Sequence, residues 1–118
     1  MRQVFIEPWR RVWKDRYTTL SIERDPDGGA FVAVDEPGTS GFAVTLGAHA
    51  AAEIAAFITT PAGVPDNEWR SGGSRLLIIH EPHGRVRFVV HDIEIFGAAT
   101  IFDNEISREI AAFISGQE

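Results

Sequence analysis

Cysteine is absent from the 118 residues, which removes disulfide frameworks, thiolate zinc sites and cysteine nucleophiles together. A chain of this length can bury a core without such staples, so the absence is neutral about compartment. Long apolar runs are missing too. Stretches such as Leu76 to Ile79 fall far below the roughly 20 residues a membrane span requires, and Glu7 follows Val4-Phe5-Ile6 too soon for a secretory core. A cytoplasmic protein with no membrane segment is the expectation. Catalytic motifs are equally scarce: the sequence contains no G-x-S-x-G, no P-loop and no G-x-G-x-x-G after a strand. Its carboxylates Asp25, Asp27, Asp35 and Glu36 sit in turns, where such residues serve the local backbone. No pair of groups is placed by spacing for acid–base work, so neither catalysis nor a cofactor is expected.

Basic residues are the minority, eleven Lys and Arg against seventeen Asp and Glu, for a net charge of -6. That balance argues against a mainly electrostatic grip on phosphates, since such binding scales with the cations supplied. The distribution is uneven, however. Residues 1 to 24 hold Arg2, Arg10, Arg11, Lys14, Arg16 and Arg24 against Glu7, Asp15 and Glu23, a basic end on an acidic body. With 44% hydrophobic and 24% charged residues, the composition is that of one soluble globular domain.

What is present is a repeat. Shifted by 56 positions, Thr18 to Ile58 aligns without a gap on Ser74 to Ile114, and 13 of the 41 pairs are identical. Glu53-Ile54-Ala55-Ala56-Phe57-Ile58 recurs as 109 to 114. The remaining identities include turn and core positions: Pro26/Pro82, Gly28/Gly84, Gly41/Gly97, Leu20/Leu76, Ile22/Ile78 and Val34/Val90. The chain therefore reads as one domain of two repeats, 1–60 and 61–118.

Within each repeat, alternation predicts strands and a period near 3.6 predicts a helix. Leu20 and Ile22, Val32 and Val34, then Phe42, Val44 and Leu46 share one parity. So do Leu76 and Ile78, Val86, Phe88 and Val90, then Thr100 and Phe102. Turns fall at Asp25-Pro26-Asp27-Gly28, Glu81-Pro82-His83-Gly84 and Glu36-Pro37-Gly38. Ala50, Ile54, Phe57 and Ile58, and Ile106, Ile110, Phe113 and Ile114, then form one apolar stripe per helix. Asp103 is the expected N-cap of the second helix and Gly47 a weak one for the first, with Pro61 and Gly116 as stops. Residues 59 to 73 read as a linker, and Gln3 to Trp13 as one extra strand bent at Pro8. The fold class expected is α+β: duplicated βββα or ββββα units, intertwined or side by side, with antiparallel sheets and one helix each.

The parity opposite the core differs between the repeats. In the first it reads Thr19, Ser21, Glu23, Phe31, Ala33, Asp35, Ala43 and Thr45, mostly small and polar. In the second it reads Leu77, Ile79, Arg87, Val89, His91, Ala99 and Ile101, largely apolar. Such a face is expected to be covered by the rest of the chain or by a second copy in a homodimer, or else to bind a ligand.

The histidines give no metal site. His80 and His83 are placed at a turn tip and His91 at the far end of the partner strand, roughly 20 Å away at about 3.3 Å per residue. More informative are the openings of the repeats, where Trp13-Lys14 falls on Trp69-Arg70. Trp13, Lys14, Arg16, Tyr17, Trp69 and Arg70, with Arg85 and Arg87 on a later strand, combine rings on which bases could stack with cations that could track phosphates; the alternative is that Trp13 and Trp69 are core plugs closing the sheet ends and the arginines ordinary surface.

The pattern resembles the PUR repeat and the broader Whirly-like group of single-stranded nucleic-acid binders. The resemblance runs through Tyr17-Thr18-Thr19-Leu20-Ser21-Ile22, Gly29-Ala30-Phe31-Val32-Ala33-Val34, Ser40-Gly41-Phe42-Ala43-Val44-Thr45-Leu46 and the helix from Glu53 to Ile58. It implies sheets followed by helices, two units paired through those helices, and single strands bound on the sheet by aromatic and basic residues. This chain departs from the family in having no Lys or Arg on the strand after Gly29 or on the next. The function expected is non-catalytic binding of single-stranded DNA or RNA. The alternative is an acidic interaction module, of regulator or immunity type, whose Asp25, Asp27, Asp35, Glu36, Asp66 and Glu68 meet a basic protein partner.

Overall fold

Alternating core and outer residues fold into two antiparallel sheets in a computed structural model that describes residues 2–6, 8–38, 41–60, 63–94 and 97–116, with side chains from residue 8 onward. The first sheet is β1 (Arg2–Ile6), β2 (Arg10–Asp15), β3 (Thr18–Arg24), β4 (Ala30–Asp35) and β5 (Phe42–Leu46), paired in that order. Helix α1 (Ala48–Thr59) follows. The second sheet is β6 (Asp66–Ser71), β7 (Ser74–His80), β8 (Val86–Asp92) and β9 (Gly97–Phe102), again in order, and α2 (Asn104–Ser115) ends the described chain. Duplicated α+β units are thus present, each with four strands before its helix and β1 added to the first.

Two expectations are corrected here. Gln3 to Trp13 is a hairpin, with β1 and β2 separated around Pro8, instead of a single bent strand. The segment read as a linker contains β6, which pairs along its whole length with β7. The core parity holds in both sheets: Leu20, Ile22, Val32, Val34, Val44 and Leu46 are buried, as are Leu76, Ile78, Val86, Phe88, Val90, Thr100 and Phe102. Each such aliphatic or aromatic side chain removed from water contributes about 1.5–3 kcal/mol before entropy is counted. Asp103 caps α2 by accepting the Ile106 N–H at 2.9 Å, and Gly116 closes it in the left-handed conformation. Gly47 stands at the N-cap of α1 without a side-chain bond. Pro61, the expected stop of α1, lies outside the described residues; the helix ends at Thr59. No helix among the described residues is long and apolar enough to cross a membrane.

The helices are exchanged between the units. Phe57 of α1 meets Trp69 of β6 edge-on, ring centroids 5.8 Å apart at 69°, and Trp69 Nε1 donates to Glu53 Oε1 at 3.1 Å. Phe113 of α2 meets Trp13 of β2 at 5.9 Å and 70°, and Trp13 Nε1 donates to Glu109 Oε1 at 3.5 Å. These are one contact made twice, its members 56 positions apart. Each helix closes the sheet of the other unit, and α1 and α2 also pack together. The units are therefore intertwined.

Candidate nucleic-acid interface

Trp13 and Trp69 are 0% and 7% exposed, which corrects their assignment as stacking platforms. Parity explains it: Trp13 pairs with Leu20 and Trp69 with Leu76, on the core side of each sheet. Rings held edge-on to Phe113 and Phe57 offer no face to a base. Lys14 is exposed on the outer side of the first sheet, in the row Lys14, Thr19 and Asp35.

Of the other five predicted residues, Arg70 and Arg87 lie on the outer face of the second sheet, Arg16 and Tyr17 stand beside it in the β2–β3 turn, and Arg85 lies in the turn before β8. The cross-strand rows of that face are Asp66, Ile79, Arg87 and Ile101, then Glu68, Leu77, Val89 and Ala99, then Arg70, Arg75, His91 and Gly97. Leu77, Ile79, Val89, Ala99 and Ile101 keep part of their surface in solvent, so among the described residues no element closes over this floor. The N-terminal segment is committed to the first sheet through β1 and β2.

Along β9 the floor is walled by the first unit. Asp15, Arg16, Tyr17 and Thr18 of the β2–β3 turn enclose a concavity of about 200 Å3 with Arg87, Ala99, Thr100 and Ile101. Thr18 Oγ1 donates to Thr100 Oγ1 at 2.8 Å and Ala99 N donates to Glu36 Oε2 at 2.6 Å, fixing the wall to the sheet edge. Glu36, Leu77, Val89, His91 and residues 97–99 line a second hollow of about 250 Å3 beyond it. A trough results, from Arg87 to His91 about 13 Å long at the rise of an extended strand. Tyr17 is 77% exposed at its rim. Arg85 stands exposed in the turn leading into β8.

Arg16 holds a left-handed conformation, φ 55°, which costs a non-glycine residue roughly 1–2 kcal/mol. Gly72, 56 positions on, has φ 62° at the same point of its hairpin. Strain that glycine would relieve is thus kept where a guanidinium overlooks the trough.

Acids share the floor. Glu68 Oε1 accepts from Arg70 Nε at 3.1 Å and lies 3.7 Å from Arg75 Nη1, while its Oε2 is 3.2 Å from His91 Nε2. Glu81 Oε2 accepts from Arg87 Nε at 2.5 Å. Partial burial pushes the Glu68 carboxyl up, but hydrogen bonds from Arg70 and His91 and the charges of Arg70 and Arg75 outweigh it and hold it below 4.5. The Arg87 hydrogen bond holds Glu81 below 4.5 as well, against partial desolvation and with help from the charges of Arg87 and Arg85.

Sequence reasoning missed Arg75, Glu68 and His91 as one cluster, although the outer parity of β7 and β8 carries the signal. His80 departs from the turn tip: its Nε2 lies 2.7 Å from the Phe57 carbonyl oxygen and its ring packs on Phe57. Among the described residues no group of three or more His, Asp or Glu could hold a metal ion. A roomier hollow, about 450 Å3, lies between the helices, lined largely by Ala52, Ala55, Ala56, Ala111 and Ala112, with Arg108 its one charged residue. Volume and chemistry disagree, and the chemistry favours the trough.

No protein-family model and no curated protein sequence matches the chain. Among solved structures it is similar to the MRP1/MRP2 proteins of Trypanosoma bruciei, with a TM-score of 0.65 and 16% identity over 92% of this chain and 81% of that one. At that identity the likeness establishes the fold.

Proposed function

We propose that the protein is a non-catalytic, cytoplasmic binder of single-stranded DNA or RNA, of PUR/Whirly-like architecture, and that the trough on the second sheet is where the strand lies. One observation carries the reading: Arg16, Tyr17 and Arg87 converge on an apolar sheet face that no described element closes over. Apolar side chains and Tyr17 offer surfaces for bases, and arginines offer partners for phosphates. The acidic-module reading loses support from the same geometry. Asp25 and Asp27 lie at one end of β4 and Asp35 and Glu36 at the other, about 20 Å apart, while Glu68 is occupied by Arg70, Arg75 and His91.

Fluorescence anisotropy of labelled single-stranded DNA and RNA at two salt concentrations tests the proposal. Intrinsic tryptophan emission is a poor reporter, because Trp13 and Trp69 are buried. Saturable binding that weakens with salt, and that Tyr17→Ala lowers by about 1–3 kcal/mol, is the expected outcome. Absence of binding at low salt refutes it. A homodimer formed through the same floor would compete for the strand, so sedimentation with and without oligonucleotide separates these uses of the face.

A further inference from the structure

The cations of the floor carry built-in partners, and those of the rim do not carry them in the same way. Arg87 is held by Glu81, and Arg70, Arg75 and His91 gather on Glu68. Both carboxylates lie on or beside the face that a nucleic acid would approach. Between the two clusters run Leu77, Val89 and Ala99, with Ile101 beside Arg87. Arg16 stands outside these pairs, exposed in the trough wall, and Arg85, exposed in the turn before β8, makes no hydrogen-bonded pair with Glu81 although its charge acts on that carboxylate.

We propose that Glu68 and Glu81 are specificity-determining residues that compete with phosphate for the floor arginines, so that the trough accepts unpaired strands and turns away duplexes. The inference rests on the nucleic-acid reading above. A duplex keeps its bases stacked inside and presents phosphates, so gripping it through Arg87, Arg70 or Arg75 requires displacing a carboxylate and leaving that carboxylate beside a phosphate. A single strand has another option. Its bases lie on the apolar strip, its phosphates reach Arg16 and Arg85, and the floor pairs stay intact. The acids thus subtract most from the ligand that depends most on phosphate contacts.

The test compares wild type, Glu81→Gln and Glu68→Gln by anisotropy with one labelled single strand and its duplex over a salt series. Asp27→Asn serves as control, since it makes the same change in net charge in the turn between β3 and β4, at the end of β4 opposite Glu36 and the trough. Thermal unfolding of each variant is recorded alongside. Glu81→Gln disturbs only a partly exposed pair, so it keeps the test open if Glu68→Gln loosens the edge strand. Removing either acid is expected to raise single-strand affinity about two- to five-fold, in line with the worth of a partly exposed ion pair, and duplex affinity by more. The salt slope should steepen toward one further phosphate, about 0.7 for the single strand and 0.9 for the duplex. An unchanged ratio of single-strand to duplex affinity in a folded Glu81→Gln, or an equal gain in Asp27→Asn, overturns the competitor role while leaving the nucleic-acid reading in place. If neither wild type nor the variants bind a single strand, that reading falls and the competitor role with it.

Discussion

Truncating Phe113 should destabilise the sheet to which its own unit does not contribute strands. The ring is 1% exposed, packs edge-on to Trp13 and lies under the guanidinium groups of Arg11 and Arg24, 5.1 and 5.2 Å from its centroid. Loss of a buried phenylalanine costs about 3–5 kcal/mol, and the two cation–π contacts add roughly 0.5–1 kcal/mol each at half-buried sites. Phe113→Ala should therefore cost about 4–7 kcal/mol. Phe57→Ala is the internal comparison: Phe57 is 6% exposed with the same tryptophan geometry, and His80 stands against it where Arg24 stands against Phe113. Its cost should be about 1 kcal/mol smaller, without the two arginine contacts. Urea unfolding followed by far-UV circular dichroism and by tryptophan emission reads both quantities. Because each helix closes the other unit's sheet, the two probes should give one coincident transition in every variant. A cost below about 2 kcal/mol for Phe113→Ala, or a first transition that leaves the second sheet folded, would refute the exchanged-helix reasoning.

Arg16→Gly should stabilise the fold by up to about 1–2 kcal/mol, because it relieves a left-handed arginine, while weakening single-strand binding; a melt and a titration on one sample check both signs. Asp103→Ala should cost about 1 kcal/mol through loss of the bond to Ile106 N, whereas Gly47→Asp should gain a few tenths at the uncapped start of α1, both read by urea unfolding. The lowered Glu68 and Glu81 carboxyls stabilise the fold fully above the ordinary value of 4.5, and that contribution is lost as pH falls through their lowered folded values. Melting temperature should accordingly hold its carboxylate contribution down to about pH 5 and lose it below 4.5, with a shallower acid loss in Glu68→Gln.

The core strands were legible because their alternation is unbroken. Leu20 and Ile22, Val32 and Val34, and their partners in the second unit all turn inward. β6 was not legible, since Asp66-Asn67-Glu68-Trp69-Arg70-Ser71 holds a single apolar residue and owes its extended form to the ladder with β7. The tryptophans were misplaced for a related reason. Their spacing suggested an exposed Trp-cation pair, but Trp13 aligned with Leu20 and Trp69 with Leu76 can only point to the core. Helix exchange leaves no local trace at all, because both helices carry the same stripe and either could serve either sheet. The trough was half legible. Its floor is written in the outer parity of β7, β8 and β9, while its wall joins residues 15–18 to residues 87–101 across a tertiary contact that periodicity cannot report.

Comparing positions 56 apart shows why one face is the better candidate. Several inward pairs are identical, Leu20 and Leu76, Ile22 and Ile78, Val34 and Val90, with Phe57 and Phe113 making matching contacts to Trp69 and Trp13. Outward pairs, Ala43 and Ala99 apart, are unlike. Ser21 stands where Leu77 does, Glu23 where Ile79 does, Phe31 where Arg87 does, and Thr45 where Ile101 does. The hairpin tips differ most, with Arg16-Tyr17 in one unit and Gly72-Gly73 in the other. The Gly-Gly tip carries no side chain, so it can supply neither a ring nor a cation to a wall. Packing constrains both copies of a core alike, because each exchanged helix must fit the other's sheet, whereas outer positions answer only to what approaches them. A fold that needs two similar halves therefore leaves its outer faces free to differ, and the binding surface proposed above is set where Arg16, Tyr17 and Arg87 meet.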